Sequence, residues 1–342
     1  MTPKERVKKA FERKPHDLTP VGVFLGGSWP VIHSGLTLDA LIGKARETAK
    51  IFFEVNELLN ADLIMVGTGA TALTIRALGG EIRFNPVGAP EITRELIEHE
   101  SSLPKLWKME FWNDQAVMWL VQTAKEVISM TQNQRMVLAS GRAPFTLATQ
   151  MYGLEKTCRA IYKNKVFIKE LLEFTTHVSI CYFKEMLGKG LVNGVFIADP
   201  TASGDVISVK HFKEFVIPYL RKVVKVVKDM GKPVMLHICG DITDRLALIP
   251  DTGVDCISVD SKVDLKKALD IVGDKVCIAG NVNPVDILQF GTTEEVAKAS
   301  LDCQKQADGR NGFVLLPGCD LASSVPLENI VAFVKAGHQL VL

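Results

Sequence analysis

A chain of 342 residues with 47% hydrophobic and 23% charged residues has the make-up of a globular protein able to bury a large core. Its formal net charge is +1, with no basic block and no acidic tail, so neither nucleic acid nor an anionic membrane surface is expected as a partner. No apolar run reaches the roughly 18 residues that a membrane span requires, and the length suits either two ordinary domains or one α/β barrel.

The chain starts with a helix signal. Thr2 is placed to cap, Pro3 to occupy the first helical position, and Glu5 to complete a capping box. No apolar stretch of the secretory type follows, so a cytoplasmic location is expected. Short apolar runs bounded by turn residues then recur: VGVFLGG from Val21, ADLIMVG from Ala61, MVLASG from Met136, GVFIADP from Gly194, VMLHICG from Val234, DCISVD from Asp255, VCIAGN from Val276 and FVLLPGC from Phe313. Continuous apolar runs of this length fit strands covered on both faces, as in a parallel sheet.

Helix-like segments lie between them, among them 210–228, 264–271, 293–306 and 326–336. Residues 68–131 form one oversized connection, with an extended excursion at EIRFNPVG and helical stretches over 92–100 and 114–130. Eight strands alternating with helices predict an α/β fold, a (β/α)8 TIM barrel forming one domain over 1–342, with the long connection as an insertion between its second and third strands. A doubly wound sheet is disfavoured, because no glycine-rich phosphate fingerprint follows a strand; GTGATA, after Met65 and Val66, lacks the spacing.

The seven cysteines are odd in number and widely spaced, which argues against a disulfide framework. Cys158, Cys181, Cys256, Cys277 and Cys303 read as small buried hydrophobes. The stretch LHICGD, from Leu236 to Asp241, is different. Residues two apart on a strand share a face, so His237 and Cys239 point together at the barrel mouth while Leu236 and Ile238 face the helices. Cys319 follows another strand directly. One imidazole and two thiolates are a known catalytic zinc set with a fourth position left for substrate. Spacing alone leaves this open against a buried structural His–Cys pair.

Four segments carry a family resemblance over essentially the whole chain. SGRAPFTLATQMYG from Ser140, VFIADPTASGDVISVKHFKEFVIPYL from Val195, GNVNPVDIL from Gly280 and LLPGCDLASSVPLENI from Leu315 resemble, in order, motifs of the uroporphyrinogen decarboxylase superfamily. The decarboxylases carry an arginine-rich segment after their first strand, whereas here that stretch reads GVFLGGSWPVIHSG, without arginine. A tetrapyrrole with eight carboxylates needs cationic partners, so decarboxylation is the less favoured reading.

The resemblance points instead to the corrinoid-dependent methyltransferase branch, similar to methylcobalamin:coenzyme M methyltransferases. It implies a zinc ion on His237, Cys239 and Cys319, and a methyl group moved from a methylcorrinoid to a thiol such as coenzyme M. No Asp-x-His-x-x-Gly corrinoid segment is present, so a separate corrinoid protein is implied as partner. A corrinoid-linked demethylase, or a transferase with another donor or acceptor, would use the same metal chemistry.

Other strand-end residues are weaker candidates. Asp199 or Asp260 is expected to accept from the imidazole of His237. Asn281 and Asn283 either line the mouth or form a turn with Pro284. Arg142 replaces the small residue usual in its motif, and so is a candidate for an anionic substrate group. His99, His177, His211 and His338 are expected to be surface or core residues; His33 is placed near the mouth without a partner.

Overall fold

The computed structural model describes residues 1–25 and 28–339. Seven parallel strands make the main sheet: β1 (Leu63–Val66), β4 (Met136–Arg142), β5 (Gly194–Ala198), β6 (Val234–Ile238), β7 (Cys256–Val259), β8 (Cys277–Val282) and β9 (Phe313–Pro317), hydrogen-bonded in that order. A two-stranded antiparallel hairpin, β2 (Ile82–Arg83) with β3 (Glu91–Ile92), lies outside it. The two edges of the main sheet converge on one short segment. Val21 bridges to Leu315 of β9 and Gly22 to Leu63 of β1, both in parallel sense. The expected first strand is therefore reduced to these bridges, and its Gly26 and Gly27 lie outside the described residues.

The apolar runs divide by alternation into two cores. Leu236 and Ile238 belong to the outer core between sheet and helices. Met235, Phe196, Ala198, Ala279 and Leu316 belong to a separate inner cluster enclosed by the strands. The first helix, Pro3–Phe11, closes the end of that inner cluster with Val7, Ala10 and Phe11, all buried. Its start carries the predicted capping box, the Thr2 hydroxyl accepting from Glu5 N–H and the Glu5 carboxylate from Thr2 N–H. Beneath it, wholly buried Asp62 accepts from Arg6, from Val21 N–H at 2.7 Å and from His338 Nε2 at 2.7 Å. With one end plugged, only the opposite end, where the strands terminate, can open into a site.

The expected helices over 264–271, 293–306 and 326–336 occur as Leu265–Val272, Thr293–Ala307 and Leu327–Gly337. The 210–228 helix is interrupted by a π-helical turn at Phe212–Val216 before Ile217–Asp229. Pro218 lacks the N–H that would continue the ordinary ladder there. Between β1 and β4 come a helix at Ala70–Ala77, the hairpin, and a helix at Gln115–Met130 capped by Asp114. The helix expected over 92–100 does not form beyond a three-residue turn starting at Glu100. Ile92 pairs with Ile82 in the hairpin, and fully buried Ile97 donates its N–H to Met151 O at 2.8 Å. Tertiary contacts override the local helical preference. Among the described residues no helix is long and apolar enough to cross a membrane.

Candidate functional site

His237 sits at the end of β6 and Cys239 one residue beyond it; Cys319 comes two residues after β9. The chain thus brings together residues far apart in sequence, because β6 and β9 both point their C-terminal ends at the open end of the sheet. The three donor atoms form a compact triangle. His237 Nε2 lies 3.2 Å from Cys239 Sγ and 3.8 Å from Cys319 Sγ, and the two sulfurs are 3.7 Å apart. All three residues line a cavity of about 430 Å³ at the strand ends.

The imidazole is held on every side. Its Nδ1 lies 3.0 Å from Ser258 Oγ. Phe24 meets the ring edge-on, with centroids 5.3 Å apart, and Phe196 stacks at 6.1 Å. The hydrogen bond expected from Asp199 or Asp260 goes instead to Ser258, the register partner of His237 on the neighbouring strand. Asp199 accepts from the Thr146 N–H at 3.0 Å and its hydroxyl at 2.6 Å. Asp260 accepts from Gly240 N–H at 2.8 Å and Lys262 N–H at 3.0 Å, which pins the loop that begins at Cys239. Gly240 has a φ of +75°, and a Cβ there would run into Ser203 and Asp205.

The remaining candidates separate cleanly. Arg142, the last residue of β4, lines the same cavity, and its Nε is buried without a hydrogen-bond partner. Asn281 is turned to the loop after β7, donating to Asp260 O at 3.0 Å and Val263 O at 2.7 Å, and is not among the cavity-lining residues. Asn283 accepts from Val285 and Asp286 N–H groups in a turn around Pro284. His33 stacks on Trp29 with centroids 3.8 Å apart, and His338 is tied to Asp62 at the far end. Cys158, Cys181, Cys256, Cys277 and Cys303 are free thiols outside the triangle, all buried or partly buried.

The electrostatics favour anionic sulfur. The close Cys239 sulfur, followed by the imidazole, holds the Cys319 thiol well below its usual range despite burial. Cys239, the other member of that pair and itself buried, is driven far above the usual thiol range. Burial pushes Asp320 up to about 6, helped by the neighbouring Cys319 charge. It pushes Asp199 up to about 7, and the second carboxylate oxygen of Asp199 has no partner. One imidazole and two sulfurs within 4.8 Å of one another are the only group of this kind among the described residues. They are suited to hold a single soft or borderline metal ion.

Known proteins place the chain. The family model for uroporphyrinogen decarboxylase (URO-D) matches residues 2–340. A methylcobamide:CoM methyltransferase, MtbA, from Methanosarcina acetivorans is 29% identical over 348 residues, spanning 98% of this chain and 97% of that protein. The methylcobamide:CoM methyltransferase MtaA from Methanosarcina barkeri is 26% identical over 354 residues, spanning 98% and 97%. A solved structure described as a methyltransferase from Methanosarcina mazei has the same fold, with a TM-score of 0.89, 22% identity and 99% of each chain covered. On the match across residues 2–340, the chain belongs to the uroporphyrinogen decarboxylase family.

Proposed function

We propose that the protein is a zinc-dependent methyltransferase that moves a methyl group from a methylcorrinoid, carried on a separate corrinoid protein, to a small thiol such as coenzyme M. The triangle of donor atoms carries this reading. With Zn–S of ~2.3 Å and Zn–N of ~2.0–2.1 Å, tetrahedral edges come to ~3.8 Å between sulfurs and ~3.6 Å between nitrogen and sulfur. The edges here are 3.7 Å for the sulfurs, and 3.2 and 3.8 Å to the nitrogen. His237, Cys239 and Cys319 would be the ligands, and three protein donors leave a fourth position for substrate. The full-length relatives named for methyl transfer to coenzyme M support the same activity.

Zinc bound there supplies a Lewis acid that keeps an incoming thiol deprotonated at neutral pH. The chain's own residues prepare the site. Ser258 accepts the Nδ1 proton and so presents the Nε2 lone pair to the sulfurs. Phe24 and Phe196 exclude water from the imidazole, and Asp260 holds the Cys239 loop in register. The thiol proton leaves to solvent. The thiol sulfur then forms the new S–C bond as the methyl–cobalt bond of the methylcorrinoid breaks, its electron pair staying with the corrinoid. No side-chain acid or base is required for that displacement. Among the described residues Arg142 is the one Arg or Lys lining the cavity, far too little positive charge for a tetrapyrrole with eight carboxylates.

Metal analysis of purified protein beside Cys319→Ala tests the reading, together with methyl transfer from methylcobalamin to thiols. About one zinc per chain, lost in the variant along with turnover, is expected. A metal-free wild type, or a variant that keeps its zinc, would refute it.

A further inference from the structure

Among the described residues the cavity contains one Arg or Lys, without an ion pair, and its position relative to the sulfur-rich end is set by strand register. Arg142 pairs with Ala198, Ala198 with His237, and His237 with Ser258, so these four form one row across β4, β5, β6 and β7. Register partners in a parallel sheet share a face, and Arg142, Ala198 and His237 all line the cavity. Arg142 therefore stands two strands from His237, roughly 10 Å away across the sheet. The residue between them is a methyl group.

The Arg142 Nε is buried and unsatisfied, and its guanidinium has no ion pair or hydrogen bond among the described residues. A buried donor of this strength left unmade is costly unless a ligand completes it. The two carboxyls that feel its charge, Asp199 and Asp320, do not reach it to pair: Asp199 is bonded to Thr146, and Asp320 to Leu321 N–H. The lining near it includes small uncharged residues, Gly67, Gly69, Ala70 and Ala72 among them. No other Arg or Lys lines the cavity among the described residues.

We propose that Arg142 is a specificity-determining residue: it anchors the anionic tail of a short thiol, whose carbon chain lies over Ala198 and whose sulfur reaches the His237–Cys239–Cys319 end. This rests on the thiol-acceptor reading above and adds the residue that holds the tail of the thiol. The shared chemistry is a terminal oxyanion, either sulfonate or carboxylate, met by the fork of a guanidinium. Ala198 leaves the row open; a longer side chain there would fill the seat.

The test is equilibrium binding by calorimetry to the zinc-loaded protein, with 2-mercaptoethanesulfonate, 3-mercaptopropionate and uncharged 2-mercaptoethanol as probes and zinc content checked for each variant. Wild type is expected to bind the anionic probes more tightly, and whichever of the two is preferred identifies the tail. Arg142→Ala should weaken anionic probes by about tenfold to a hundredfold, leaving 2-mercaptoethanol within about twofold. Arg142→Lys should recover part of the loss, since it keeps a point charge without the fork. Ala198→Leu should weaken all three probes. A preference for anionic thiols that survives Arg142→Ala overturns the anchor while leaving thiol binding intact. Failure of every probe to bind the zinc-loaded wild type overturns the thiol reading itself, and the anchor with it.

Discussion

His237 and Ser258 are register partners on β6 and β7, and the imidazole Nδ1 lies 3.0 Å from the serine Oγ. That contact orients the ring so that Nε2 faces both sulfurs. Removing the hydroxyl leaves a buried N–H without an acceptor and frees the ring to turn. Ser258→Ala should lower zinc affinity by about tenfold to a hundredfold, measured by competition with a chelator, while the far-ultraviolet circular dichroism stays unchanged. Unaltered affinity would mean that the ring is held by Phe24 and Phe196 alone.

Gly240 follows Cys239 with a φ of +75°, and its N–H donates to Asp260. An alanine there is strained by backbone conformation and collides with Ser203 and Asp205. Gly240→Ala should destabilise the protein by about 1–3 kcal/mol and shift Cys239 enough to weaken metal binding. Urea unfolding gives the first number and metal content the second; a variant normal in both would show that the loop has slack.

Asp199 is a wholly buried carboxyl whose pKa is raised to about 7, chiefly by burial, against the hydrogen bonds from Thr146. The folded value lies above the unfolded one, so the folded state binds the extra proton between about pH 4 and 7. Stability on account of this group is greatest at low pH and falls as pH rises through that window. Asp199→Asn keeps an oxygen for the Thr146 donors and removes the charge. Its stability relative to wild type should be near zero difference at pH 4 and rise to a gain of about 1–4 kcal/mol above pH 7. Thermal unfolding of both proteins across that range measures it, and a pH-independent difference would contradict a buried ionising carboxyl.

At the plugged end, Asp62 joins the first helix through Arg6, the bridging segment through Val21, and the C-terminal helix region through His338. Its removal leaves buried donors without an acceptor on three separate elements. Asp62→Ala should destabilise by about 3–5 kcal/mol in urea unfolding. The zinc affinity of the remaining folded protein should not change, because the network is at the opposite end from the site.

Much of the architecture was readable from local pattern. Seven of the apolar runs became strands where expected, because continuous Val, Ile and Leu with turn residues on both sides suit burial on two faces. Capping chemistry located the helix start at Thr2, and the structure adds side-chain caps at Asp114, Asp264 and Thr292. The Val21 run was over-read as a full strand, since its backbone pairs only through Val21 and Gly22. Residues 92–100 were over-read as helix, because burial of Ile97 against the Met151 segment outweighs their periodicity.

The proposed ligand set shows the same division. Alternation along one strand put His237 and Cys239 on a common face, and strand-end position singled out Cys319; these follow from chain-local geometry. The partner of His237 did not, since two acidic strand ends, Asp199 and Asp260, looked better than an unremarkable serine. Register decided for Ser258, because alignment of β6 with β7 depends on how the intervening turn at Thr243–Thr252 packs.

By itself, then, the sequence determined which residue types stand at strand ends and which face of each strand they occupy, because side-chain alternation is a property of a single chain segment. Only the tertiary structure decided which strands lie side by side and at what offset. That placed Ser258 beneath His237, sent Asp199 to Thr146 and Asn281 to a loop, and left Arg142 in the cavity without an ion pair among the described residues. Pairing between strands is set by the packing of everything between them, and no local stretch encodes it.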